Sequence, residues 1–396
     1  MTARRRFTVW HIAIAVAILA AAGTTAGCQL FRRIVGRDTI LLDEYDVKSL
    51  SAGIRKPAQT ICPLEATQMA VSVTAADPED PAKIVEYETW QGDPGGRHND
   101  TLDFSNFAFS SPQGVFDEHG YFRPAGGVVP TIAAEFRIEV ALRKQPGAFD
   151  AHLVFRPDYT CVTGAEEGGE PGYDGAHGEP GESGFTGEYG GDGPGGDGSD
   201  GGDGGPGGSG SGGANGASVT AWATYAATPF YPKLLAIVVR GAGGDTLYLA
   251  PPGQGFLVSA AGGPGGSGGG GGAGGRGGDG GSGEPGGRAG NGGSGGPGGD
   301  GGDGGDGGSV EMIYDSRFPE LAQIISIRAD GGPGGAPGQR GYAGDGGTPG
   351  FEGAPGVRGA DGPPGQPGRP GRPGRTSAGP GDVASLFAGI EGLRPL

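Results

Sequence analysis

The chain has 396 residues, 95 of them glycine and 33 proline, and a formal net charge of −17. Such a share of glycine and proline signals collagen-like or low-complexity sequence, and it excludes one continuous globular core. The acidic balance argues against nucleic acid as a partner, because no basic surface is evident to neutralise phosphates.

The N-terminus reads as an address. Arg4, Arg5 and Arg6 precede an apolar run from Phe7 to Ala22, too short for a comfortable membrane span. The run leads to Thr25-Ala26-Gly27-Cys28, which resembles the lipobox of bacterial lipoproteins, with threonine where that pattern prefers leucine. The resemblance implies that residues 1–27 are a signal peptide cut before Cys28. Cys28 then carries fatty acid such as palmitate and anchors the protein to the membrane. Gln29 implies sorting to the outer membrane of the cell envelope. Arg4-Arg5-Arg6-Phe7 also resembles a twin-arginine signal, so Sec and Tat export stay open. The plainer alternative is an ordinary signal with an incidental Cys28.

With Cys28 lipidated, Cys62 and Cys161 remain as an even pair in an oxidising compartment, which suits a disulfide. Two buried thiols are the alternative. No metal is expected, because no histidine or third cysteine stands at ligand spacing.

Residues 28–42 form a tether, and 43–161 read as all-β. Ala70–Thr74 and Phe136–Val140 alternate apolar and polar residues, and His152–Phe155 is a further short strand. Turns are expected at 77–81, 92–96, 111–114, 117–120 and 144–147, a spacing that suggests a sandwich. The stretch from Ser111 to Cys161, with Gly114–Asp117 and Gly120–Phe122 as a hairpin, resembles an immunoglobulin-like domain of bacterial surface proteins.

Residues 162–376 form a glycine-rich repeat domain, with β segments at 217–261 and 309–330. Glycine recurs every third residue in five runs: 169–193, 195–216, 262–286, 287–308 and 332–374. An α-helix is excluded, since each interior glycine costs roughly 1 kcal/mol against alanine. The period fits a polyproline-II geometry of three residues per turn, in which each triplet position occupies one face. The first and last runs carry mainly one glycine per triplet, and the middle three carry two. One glycine face suits an edge leg and two suit an interior leg, so the gradient predicts an antiparallel polyglycine-II bundle. The one-residue slips at Pro194 and at Gly286-Gly287 are the expected hairpin turns. The pattern resembles the glycine-rich bundles of Obg-type GTPases, of certain phage tail-tip adhesins and of the springtail antifreeze protein. The rival is a trimeric collagen-like stalk built on the unbroken 332–374 run, and plain disorder is a third reading.

An internal repeat runs through the β segments. Ser218-Val219 matches Ser309-Val310, Phe230–Leu234 matches Phe318–Leu321, and Ile237–Arg240 matches Ile324–Arg328. Asp300, Asp303 and Asp306 fall on one face and are expected to be solvated; at about 9 Å apart they are too far apart for one calcium ion. In the tail, 377–396, Asp382 is placed to cap a short helix with Val383, Leu386, Phe387 and Ile390 on one side.

Catalytic signatures are missing. There is no GxxxxGK[ST] and no HExxH, and the five lysines all lie outside the glycine runs. The G-x-S-x-G matches at Ser267 and Ser294 lack a strand-to-helix turn, and His98, His119, His152 and His177 are scattered. The expectation is a non-enzymatic surface lipoprotein, without cofactor, that is structural or adhesive toward a surface ligand or protein partner. The alternatives are the collagen-like trimer and a protein binding ice or carbohydrate surfaces.

Overall fold

The computed structural model describes residues 39–54, 59–89 and 101–396. The signal peptide, Cys28, most of the tether, His98 and the 92–96 turn lie outside the described residues. The chain divides between Asp158 and Tyr159 into two compact units. Cys62 and Cys161 are joined in a disulfide. No helix among the described residues is long and apolar enough to cross a membrane.

The first unit is β-structure. Its strands are Thr39–Ile40 (β1), Asp46–Ile54 (β2), Thr60–Ile61 (β3), Thr67–Ala76 (β4), Ile84–Glu88 (β5) and Thr101–Leu102 (β6). Phe107–Ser110 (β7), Gly114–Phe116 (β8), Tyr121–Pro124 (β9), Phe136–Leu142 (β10) and Asp150–Pro157 (β11) follow. One sheet runs β3-β11-β10-β7 and another β2-β4-β9-β8, with β5 also on β4. Alternation sets the faces, because successive side chains of a strand point to opposite sides. In β4, Met69, Val71, Val73 and Ala75 are buried; in β10, Phe136, Ile138, Val140 and Leu142 are buried while Arg137 and Glu139 face out. These residues of both sheets share one apolar cluster with Phe107, Phe122 and Phe155.

The second unit uses one motif three times: a short strand leads into a glycine leg, the chain reverses, and a return leg enters another strand. Gly164–Glu166 (β12) leads into leg 1 (169–190), and leg 2 (195–216) returns into Ser218–Ala227 (β13). After the hairpin Leu234–Gly241 (β14) and Gly244–Ala250 (β15), Phe256–Ser259 (β16) leads into leg 3 (262–283). Leg 4 (287–308) returns into Ser309–Asp315 (β17). One helical turn, Leu321–Ile324 (α1), precedes Ile325–Arg328 (β18), which feeds leg 5 (332–350); leg 6 (353–374) enters Arg375–Gly381 (β19). Ala384–Phe387 (α2) and Arg394–Pro395 (β20) follow.

The outgoing strands β12, β16 and β18 form one parallel sheet. The return strands β13, β17 and β19 pair in parallel inside a larger sheet that continues through β14 and β15. Burial alternates at Val219, Ala221, Ala223, Val310 and Met312 but is continuous over 234–239 of β14, a strand covered on both faces.

Three expectations change. The chain reverses at Phe351-Glu352, so the 332–374 run is two legs and not one. The reversal leaves no slip because a β-turn closed by Gly353 N–H on Gly350 O occupies one triplet. Glu352 takes the left-handed conformation there, with φ 61°. The repeat is real at Ser218-Val219, which pairs directly with Ser309-Val310. Its second half diverges: Ile237–Arg240 lies in β14, whereas Ile325–Arg328 is β18 and pairs with β16. Finally, Asp382 does not cap α2. The residue at the cap is Val383, with no side-chain hydrogen bond, and Leu386 is exposed although Val383 and Phe387 are buried.

Candidate functional site on the glycine legs

The legs are joined by their own amides. Gly172 donates to Pro264 O and Gly265 to Pro333 O, which makes legs 1, 3 and 5 one parallel layer. Gly213 donates to Asp303 O and Gly304 to Arg369 O, which makes legs 2, 4 and 6 a second. The layers are antiparallel and interlock: Gly263 bonds Ala214, Gly302 bonds Gly266, Gly335 bonds Gly302 and Gly368 bonds Gly335. Legs 3 and 4 therefore donate twice per triplet, and legs 5 and 6 once through their ladder glycines. Each layer also prolongs a sheet. Ser218 and Ser309 are 91 residues apart in the sheet, and the same separation links Asp197, Asp200 and Asp203 to the amides of Arg288, Asn291 and Ser294.

Close approach decides where glycine must stand. A Cβ on Gly299 would run into the Gly208 carbonyl of leg 2, and one on Gly298 into the Gly338 carbonyl of leg 5. On leg 1 the corresponding crowding falls on one residue per triplet, Gly172 against Ser211 for example, and its neighbours Tyr173 and Asp174 are exposed. Leg 5 is mixed. Gly334 and Gly346 abut leg 6, but Pro337, Arg340 and Ala343 hold those positions between them. The leg 6 amides bond leg 5 at 2.8 Å at Gly371, at 3.0–3.1 Å from Gly365 to Gly359 and at 3.3 Å at Gly356, so the ladder lengthens toward the turn.

Asp300, Asp303 and Asp306 are exposed, as a solvated face requires, and they also bind a neighbouring leg. Their Oδ1 atoms accept the amides of Gln366, Arg369 and Arg372, each at 2.7 Å. These are third-position N–H groups that the glycine ladder leaves over. Asn215 and Asn291 serve the same end toward Asp306 and Val357, Asp174 toward Ser267, and His177 Nδ1 toward Gly270. The Thr348 hydroxyl and then its amide hold Asp279 below the usual carboxylate range, and the Ala343 amide does so for Asp361. The repeated Gly-Gly-Asp in the sequence carried this signal, because a short acceptor every third residue fits one unpaired donor every third residue.

The remaining expected residues stay apart. Ser267 and Ser294 sit mid-leg with their amides bonded to Asp174 and Asp203. His119 lies beside Glu118, and His152 beside Glu139 across the β10–β11 pair. Two features went unread in the sequence. At the end of β17, Asp315 is buried and bonded to Thr224 Oγ1 at 2.7 Å and to the Arg317 guanidinium. That guanidinium, more than any other group, pulls Asp315 down to about 2. Large side chains also stand out from the edge legs: Tyr173 is 84% exposed, Phe185 81%, Tyr189 78% and Phe351 70%. Tyr189 and Phe351 lie at or beside the leg turns, at the end away from the sheets, and Phe185 stands further back on leg 1, level with Ser199. Aromatic residues on a threefold run with no inward face to occupy were the available clue.

A groove of about 500 Å³ lies on the layer of legs 1, 3 and 5. Its floor is Gly268, Gly270, Gly271 and Ala273, and its walls include His177, Gln339, Arg340 and Tyr342. It exists because the third positions of leg 3 there are glycine and alanine. His177 Nδ1 accepts from Gly270, so the neutral ring carries its proton on Nε2. Compared with known proteins, the chain matches no family model, no curated protein and no solved structure.

Proposed function

We propose that the chain is a non-enzymatic lipoprotein of the cell envelope, anchored through Cys28, whose glycine-rich module is a rigid polyglycine-II head with a structural or adhesive role. In this reading the sheets of the first unit are an immunoglobulin-like sandwich standing between anchor and head in the chain. The observation that carries it is the amide ladder, which fixes six legs to one another without a side-chain core and leaves side chains on their outer faces. At roughly 3.1 Å per residue in polyproline-II geometry, a leg of 22 residues reaches about 65 Å from the sheets. Such a rod presents Tyr189 and Phe351 at its far end and Phe185 a short way back on leg 1, where exposed aromatics suit contact with a partner.

Two measurements test this. Labelled palmitate should enter the wild-type chain and not the Cys28→Ser variant, and the variant should leave the envelope fraction. Binding of the purified protein to its native cell surface should fall at least tenfold in F185A/Y189A/F351A with the fold intact. Binding unchanged by that triple substitution would remove the adhesive role of the tip.

One observation favours a second reading, a carbohydrate surface ligand. The groove brings the Tyr342 ring together with His177, Gln339 and Arg340, donors suited to sugar oxygens. A glycan panel with Tyr342→Ala as control separates this site from the tip.

A further inference from the structure

The two edges of the leg stack differ in charge. Leg 1 carries Glu170, Asp174, Glu179, Glu182 and Glu188 and neither Lys nor Arg. Leg 6 carries Arg358, Arg369 and Arg372 against the single Asp361, and Arg375 follows it. Glu170, Tyr173, Arg369 and Arg372 are all exposed. Arg358 is engaged with Asp345 and Asp361 at 3.4 and 3.2 Å. The amides of Arg369 and Arg372 go to Asp303 and Asp306, so both exposed arginines stand on the third-position face of leg 6, next to the prolines that line its edge.

The ladder fixes the height of these groups. Ala214 bonds Glu170, Gly263 bonds Ala214, Gly305 bonds Gly263, Gly332 bonds Gly305 and Gly371 bonds Gly332. Glu170 therefore lies level with Gly371 and Arg372 on the opposite edge, and by the parallel series through Ser211 and Gly335, Tyr173 lies level with Gly368 and Arg369. A second copy shifted sideways without rotation would bring its basic leg 6 against the acidic leg 1 of the first, in step.

Neither edge can extend the glycine ladder. Two of three positions per triplet on legs 1 and 6 bear side chains, and Pro355, Pro364, Pro367, Pro370 and Pro373 have no N–H where leg 4 has its outward donors. Contact between copies would then run through side chains alone. We propose that copies of this chain associate side by side, leg 1 of one on leg 6 of the next, through Glu170–Arg372 pairing and stacking of Arg369 on Tyr173. The contact is heterologous, so each added copy leaves one free edge of each charge and the array stays open. It goes beyond the proposed anchoring and adhesion and does not rest on either.

The test uses the full chain with Cys28→Ser, purified in detergent, carrying P171C and P373C, exposed neighbours that leave Glu170 and Arg372 in place. Copper–phenanthroline oxidation at low salt should yield a ladder of dimers, trimers and higher species, reduced several-fold at 0.5 M NaCl as exposed pairs are screened. Monomer alone, or dimer with nothing larger, overturns the proposal. Independently, sedimentation of thiol-free variants should show association lost in E170R and in R372E and recovered in the double reversal E170R/R372E. No recovery in the double variant, with fold confirmed by circular dichroism, also overturns it.

Discussion

The sheets of the first unit and the legs of the second solve the same problem with opposite materials. In the sheets, Phe136, Ile138, Val140 and Leu142 fill space with side chains, and the sequence needs bulk at every second residue. In the legs, Gly269, Gly299 and Gly302 fill space with backbone, and the sequence needs the absence of bulk at one or two of every three. The first solution rests on apolar area removed from water. The second rests on many amide hydrogen bonds, each worth about 0.5–1.5 kcal/mol net, set against the large backbone entropy of glycine. Substitutions should therefore hurt in opposite directions: smaller is worse in the sheets, larger is worse in the legs.

The sharpest trial of that contrast pairs two variants in denaturant unfolding. Phe136→Ala should cost about 3–5 kcal/mol through a cavity in the shared cluster. Gly299→Val should cost about 3 kcal/mol by the opposite route, because its Cβ must displace the Gly208 carbonyl. A Gly299→Val chain with unchanged stability would show that the legs are looser than the ladder implies.

Next in size is a side-chain staple within the second unit. Asp315 is held at about 2, below the usual 3.8, by Arg317 and Thr224. Its contribution is present above about pH 4 and is lost as pH falls through about 2, on the order of 2 kcal/mol. Asp315→Asn should remove that part of the acid dependence, as followed by unfolding curves between pH 5 and 2. Smaller again, Asp303→Ala should cost about 0.5–1 kcal/mol, since it deprives the Arg369 amide of its acceptor at an exposed position. Smallest, Thr186→Leu on the outer face of leg 1 should change stability by less than about 0.5 kcal/mol. A large effect there would mean that the outer face of leg 1 is covered.

Much of the local architecture was open to reading in the residues. Alternation at Ala70–Thr74 and Phe136–Val140 gives strands, and the threefold glycine gives legs, because both periods report a backbone geometry that each residue obeys alone. The one- versus two-glycine gradient correctly separates leg 1 from legs 3 and 4. It fails at leg 5, which lies between legs 3, 4 and 6 although Pro337, Arg340 and Ala343 take positions that glycine holds on legs 3 and 4. The aspartates were read in part for a similar reason: Asp303 is exposed as expected, but its bond to the Arg369 amide depends on a leg 66 residues further on.

By itself, then, the sequence determined the period, the strand faces and the positions where bulk is forbidden, since these are properties of a triplet or a pair of neighbours. The tertiary structure alone decided that there are six legs, that they alternate between two layers, and that Ser218 pairs with Ser309. It also decided that Glu170 and Arg372 stand level on opposite edges. Those outcomes depend on which distant amide meets which carbonyl. A reversal that occupies one whole triplet, as at Gly350–Gly353, leaves the local period unbroken and so leaves no trace in the chain.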